Sequence, residues 1–247
     1  MEIALWLVVL FTLVYEPIFG YFDYRRFKRK VQEDGGARIR YYAKTMFGLW
    51  SPAVFILLLV AATDITGRDF GFALPDIRTE PLGTVVTYAV LAVAAVYALA
   101  LAYFGIGYRF SANIRDKMNK AMGEHSERSG FSDILPVTDR EKKWWTFVSL
   151  TAGITEEIIY RGFLIHAFSR LFPDVSVWWV ILASSLLFGL AHTYQGVAGV
   201  IRTGAIGIFF SMIYVATDSL WLLIVLHFLV DLMARVESGE RRTAAHG

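Results

Sequence analysis

Hydrophobic residues fall in seven long runs separated by polar or charged connectors, at about 3–22, 45–62, 82–104, 144–172, 177–192, 203–217 and 220–235. A hydrocarbon core of about 30 Å takes roughly 20 helical residues, so each run is a candidate membrane helix. The fifth and sixth are short enough to tilt or dip, and the fourth is long enough to start as an interfacial helix. The pattern predicts an all-α polytopic membrane protein with about seven transmembrane helices.

The charges add an orientation. Connector 23–44 holds eight Lys and Arg, 63–81 holds two, 105–143 holds eight and 173–176 holds none; 193–202 has only Arg202, and the tail adds Arg241 and Arg242. Cytosolic connectors carry the excess of basic residues, which places the N-terminus outside and the C-terminus in the cytosol across all seven crossings. Trp50, Trp144, Trp145, Trp178, Trp179 and Trp221 sit near run ends, as an interfacial aromatic belt would.

Composition agrees. The 247 residues are 56% hydrophobic, against about 45–50% apolar for a soluble domain even with Gly counted. The net charge of +2 is segregated, and no base-reading motif is present, so no nucleic-acid partner is expected. Cys is absent, which excludes a thiol nucleophile, thiolate metal ligands and disulfides. The first run has no basic flank before it and no small-residue cleavage site after it, and so reads as an uncleaved helix. The terminal Ala-Ala-His-Gly is not a prenylation signal. The chain divides into helices at 1–104, a connector at 105–143, the polar-bearing helices at 144–236 and a disordered tail at 237–247. Within the connector an amphipathic helix over 114–122 is the lesser reading and a solvated link the greater.

Chemistry concentrates in the last four runs. Thr155-Glu156-Glu157-Ile158-Ile159-Tyr160-Arg161 sets two carboxylates and a guanidinium inside the fourth. Each such charge costs about 2.5–3.5 kcal/mol near a helix centre on insertion scales, so it needs a purpose. Glu157 and Arg161, four apart, share a helix face and can pair, as a helix-to-helix lock or otherwise. Glu156 is turned about 100° from Glu157 and needs another role: a reactive carboxylate, or a neutral carboxyl bonded to a neighbouring helix. His192 closes the fifth run. His227 and Asp231 share one face of the seventh, as a buried pair or as a carboxylate orienting an imidazole. Polar groups from three crossings of an apolar domain should converge, because lipid exposure is costly. His166 and Arg170 read as structural, Glu16 as interfacial, and His125 and His246 carry no pattern.

Such a set supports two chemistries. A carboxylate and an imidazole can activate water, with a second polar cluster stabilising the oxyanion. Alternatively, Glu156, His192 and His227 are the donor types of a catalytic zinc. No His-Glu-x-x-His occurs, which argues against the familiar zinc proteases. Ser184 and Ser185 have no base or Gly-rich elbow nearby, so a serine hydrolase is not indicated.

Glu156-Glu157-x-x-x-Arg161, Phe188-x-x-x-His192 and His227-x-x-x-Asp231, in this order on successive runs, resemble the CPBP intramembrane protease family, which includes the CAAX prenyl endopeptidases and bacteriocin-immunity proteins. The resemblance covers about residues 144–236. It implies Glu156 as general base on a water shared with His192, about 3 Å from each. It further implies Glu157 and Arg161 as supporting pair, and His227 and Asp231 at the oxyanion. No cofactor is then required, zinc being the alternative. An ionised Asp cannot donate to an oxyanion. Asp231 is therefore a protonated donor, an orienter of His227 or a metal ligand.

The implied function is an intramembrane endopeptidase acting on a peptide or membrane-protein substrate from the cytosolic side. The membrane is the plasma membrane of a prokaryote or the endoplasmic reticulum of a eukaryote. The competing classes are a non-catalytic membrane scaffold, which would tolerate Glu156→Gln, and a proton-coupled transporter, which would show pH-dependent flux and no peptide products. The orientation has its own test: a reporter fused after Gly247 should be cytosolic, and an exterior signal would overturn it.

Overall fold

The computed structural model describes residues 2–63, 65–128 and 131–234, with 121–128 described by backbone alone. The tail at 237–247, Arg241, Arg242, His246 and the His125 side chain lie outside what is described. Among the described residues there is no strand, and ten α-helices follow in order. These are α1 (Glu2–Val14), α2 (Tyr21–Lys30), α3 (Ala37–Ala61), α4 (Thr84–Phe110), α5 (Ala112–Arg128), α6 (Asp139–Glu156), α7 (Ile165–Leu171), α8 (Val177–Ala191), α9 (Gly196–Thr217) and α10 (Trp221–Met233).

Two π-helical turns join helices into longer rods. Tyr15–Gly20 links α1 to α2, and Glu157–Leu164 links α6 to α7. Among the described residues four helical stretches are long and apolar enough to cross a membrane: Glu2–Lys30, Ala37–Ala61, Thr84–Phe110 and Thr193–Thr217. They match the first, second, third and sixth runs of the sequence. The fifth and seventh appear as the shorter apolar helices Val177–Ala191 and Trp221–Met233. The connector at 105–143 is not the solvated link favoured above. α4 runs on to Phe110, and α5 folds back with Ile114 seated against Gly107, whose missing side chain leaves the space.

The rod of α6, its π turn and α7 is the axis of the bundle, and α3, α8, α9 and α10 pack around it. Its start is fixed locally. Thr138 Oγ1 accepts from the Glu141 amide at 3.2 Å, and Glu141 Oε2 accepts from the Thr138 amide at 2.8 Å. This reciprocal cap satisfies two amides that the first helical turn would leave unpaired. The same Glu141, buried, lies 3.6 Å from Arg38 at the head of α3. Tyr24, Phe27, Tyr42, Leu135 and Trp145 form an aromatic cluster that ties the basic ends of α2, α3 and α6 together.

At the opposite end the segment 63–81 folds over the bundle. The Asp76 and Arg78 amides donate to Thr217 and Ala216 carbonyls at 2.8 and 2.9 Å, and Phe70 is buried against Gly162. The two strongly basic connectors therefore share one end and 63–81 occupies the other, the segregation expected from the charge pattern. Most exposed side chains on α4 are apolar, among them Val85, Val96, Leu99 and Ile106.

Helix crossings use small residues. A Cβ on Gly189 of α8 would sit 2.8 Å from the Val200 carbonyl of α9, and one on Gly153 of α6 would sit 3.1 Å from the Ile224 carbonyl of α10. Without a hydrophobic drive between helices in lipid, such close backbone approach supplies the packing. Gly189→Ala is expected to lower stability by about 1–3 kcal/mol, because neither backbone can yield locally. Gly204→Ala, whose methyl would lie 3.7 Å from the Ser185 carbonyl, should be tolerated. Thermal unfolding of both variants in one lipid or detergent checks the contrast.

Candidate active site

The site is built where the axial rod changes pitch. α6 ends at Glu156, and the π turn begins at Glu157. Inserting such a turn re-aims the side chains that follow, and π turns recur at functional sites. The adjacent carboxylates consequently serve different surroundings. Glu157 faces the packed interior with no exposure, while Glu156 borders a cavity.

Glu157 is the hub of the interior set. Its Oε1 accepts from Arg161 Nη1 at 3.0 Å and from His227 Nδ1 at 2.6 Å. The Arg161 guanidinium, also with no exposure, stacks over Phe188 at 4.2 Å and stands 5.5 Å from Phe210, with Nη2 reaching the Gly207 carbonyl at 3.5 Å. Aromatic faces and a carboxylate thus replace the water that the guanidinium gave up. The predicted Glu157–Arg161 pair is present, and it joins α6 to α10 through His227.

The far nitrogen of that imidazole faces outward. His227 Nε2 lies 3.8 Å from Glu156 Oε2 and 3.7 Å from Asp231 Oδ2. Both distances exceed a hydrogen bond. Asp231 does not orient the ring through Nδ1, because Glu157 holds that nitrogen. Trp145 Nε1 fixes α10 at this level by donating to the Asp231 main-chain carbonyl at 2.9 Å.

His192 approaches from the other side. Its Nδ1 lies 2.9 Å from the Phe188 carbonyl. A carbonyl only accepts, so Nδ1 carries the hydrogen, and Nε2 of the neutral ring is left with a lone pair. Glu156 and His192 both line a cavity of about 360 Å³. Glu156 Oε2 is buried and has no hydrogen-bond partner within the protein. His227 reaches Glu156 from α10, with Asp231 beside it.

The cavity also takes residues that the sequence reading left aside. Tyr160, Tyr194 and Glu16 line it, and it extends to Asp23, Arg26 and Lys44 at the basic end. Glu16 is therefore a cavity residue rather than an interfacial one. The available signal was an acidic residue within the first apolar run, immediately before Pro17. Ser184 donates to the Tyr160 carbonyl at 2.6 Å and Ser185 pairs with Ser211 at 3.4 Å, which leaves neither placed as a nucleophile. His166 and Arg170 sit on α7, beyond the π turn.

Among the described residues no group of three or more His, Asp or Glu is placed to hold a metal ion. Glu156, His192 and His227 do not close around a common point as a zinc set would, and His227 has its Nδ1 engaged by Glu157.

Residues 141–233 match the family model described as Type II CAAX prenyl endopeptidase Rce1-like. The match covers α6 to α10 and every motif residue, while α1 to α5 lie outside it. No curated protein and no solved structure gives a match.

Removing Arg161 isolates a buried carboxylate. Arg161→Met is expected to cost about 3–5 kcal/mol of stability. Adding Glu157→Gln should recover part of the loss, since it removes the orphaned charge. Unfolding of the single and double variants in a common lipid measures both effects, and a silent Arg161→Met would contradict the hub.

Proposed function

We propose, from the assignment of residues 141–233 to the CPBP/CAAX protease family, that this integral membrane protein is an intramembrane endopeptidase that hydrolyses a peptide bond with water activated by Glu156. One observation carries the reading: Glu156, one of whose carboxylate oxygens is buried without a hydrogen bond among the described residues, lines a cavity that also receives an imidazole with a free lone pair.

The chemistry follows from those groups. A water between Glu156 and His192 loses a proton to Glu156 as its oxygen bonds to the scissile carbonyl carbon. The carbonyl electrons move to oxygen and give a tetrahedral oxyanion. Glu156 then returns the proton to the leaving nitrogen as the C–N bond breaks, and an acid and an amine are released. His192 holds the water by accepting its second hydrogen. His227, with Nδ1 tied to Glu157, stabilises the oxyanion when Nε2 bears a proton, and Asp231 faces the same nitrogen. Glu157 and Arg161 are positioning residues, since they act through His227.

The substrate enters from the basic end, where Asp23, Arg26 and Lys44 border the cavity. That end is cytosolic if the chain crosses seven times with its N-terminus outside, the orientation that the Lys and Arg distribution supports. The substrate is a peptide or membrane protein, and prenylated C-termini fit the description of the matched family.

Membranes carrying the wild type or Glu156→Gln at matched levels test this by their peptide termini. General base catalysis contributes roughly 10²–10⁴-fold, so termini present with the wild type should vanish with the variant. Identical sets of termini would favour a scaffold, and pH-dependent flux in their place would favour a transporter.

A further inference from the structure

The first helix rod is outside the family match, yet it brings a carboxylate to the catalytic cavity. Glu16 lies in the π turn Tyr15–Gly20. The next residue is pinned: the Pro17 carbonyl accepts from Thr193 Oγ1 at 2.8 Å, and Thr193 directly follows His192 in the chain. Glu16 is thus held one residue from a link to the His192 turn. Its carboxylate runs beside Gly20, where an added Cβ would lie 3.4 Å from Oε2, and it lines the same cavity as Glu156 and Tyr160.

Among the described residues Glu16 has no hydrogen bond and no ion pair. The two cations that border the cavity are placed elsewhere. Lys44 pairs with Asp23, and Arg26 is exposed at the basic end, ten residues after Glu16 and about 15 Å further along the rod. The surrounding walls are aromatic, with Phe11, Tyr15, Phe19, Tyr41, Tyr160 and Tyr194. A carboxylate without a counter-ion, set among aromatic faces, is suited to a cation brought by a ligand.

We propose that Glu16 is a specificity-determining residue whose carboxylate receives the side chain of a Lys or Arg in the substrate, close to the bond that Glu156 and His192 attack. The inference rests on the protease reading and deepens it by naming a substrate class: apolar peptides with one cationic residue near the cut. The aromatic walls hold the apolar part, and Glu16 sets the register.

Binding to cleavage-dead protein separates the two claims. Full-length Glu156→Gln protein in lipid nanodiscs is titrated with an apolar octapeptide in which Lys is scanned through each position, each peptide paired with its norleucine counterpart. At one position Lys should bind at least about tenfold more tightly than norleucine, the size of one charge-assisted contact. Adding Glu16→Gln should bring that ratio to about one, and adding Glu16→Lys should move the preference to Glu at the same position, which a merely structural role would not do. A Lys scan without a preferred position, or a preference that survives Glu16→Gln, overturns the proposal. The wild type assayed on the same peptides tests cleavage independently: Lys selectivity without products would fail the protease reading and leave Glu16 as a cation site, while products without selectivity would fail the Glu16 proposal alone.

Discussion

The buried contact among Arg161, Glu157 and His227 is the constraint on which the rest of the structure depends. Three ionisable groups from two helices share one carboxylate oxygen, at 3.0 Å and 2.6 Å, with Arg161 and Glu157 wholly enclosed. Charges desolvated to this degree stay in place only when each has a partner. The requirement fixes α10 against the axial rod and fixes the tilt of the His227 ring. It also holds Phe188 and Phe210 under the guanidinium, which brings α8 and α9 into the same arrangement.

With Glu157 committed to that task, Glu156 is left to the other side of the helix. The π turn beginning at Glu157 lets two consecutive carboxylates belong to different environments, one an ion-paired interior and one a cavity wall. The cavity is a joint product of two parts of the chain. α6 and α8 bring Glu156 and His192, whereas α1, α2 and α3 supply the aromatic and acidic walls and the basic end. The hydrogen bond from Thr193 to Pro17 joins the two parts beside His192. The cavity thus combines residues inside the family match with walls contributed by helices outside it.

Much of this was legible in the sequence because hydrophobic run length and charge segregation act locally. α8 falls where its run predicts, while α3 begins eight residues before its run and α4 ends six after it; the three polar motifs lie on the runs assigned to them. The Glu157–Arg161 pair was readable from its spacing of four. The bond from Glu157 to His227 was not, since 70 residues separate them and the choice between Glu157 and Asp231 as partner of Nδ1 depends on how α10 is rotated. Neither π turn has a spacing signature. Glu16 was misread because distance from a run end was the only measure of its depth, and the cavity that surrounds it is formed by tertiary packing. α5 was set aside because its charged sequence resembles a solvated link, whereas its Ile114 docks on Gly107 of α4.

The central claim is that water bound at Glu156 attacks the peptide carbonyl directly. A single turnover of purified protein in lipid, run in ¹⁸O-labelled water and read by mass spectrometry, tests it most directly. Direct attack predicts one ¹⁸O in the new carboxyl terminus of the product and none in the protein fragment containing Glu156. An unlabelled first product, or label appearing in Glu156, would mean that the carboxylate itself forms a covalent intermediate and would contradict the account.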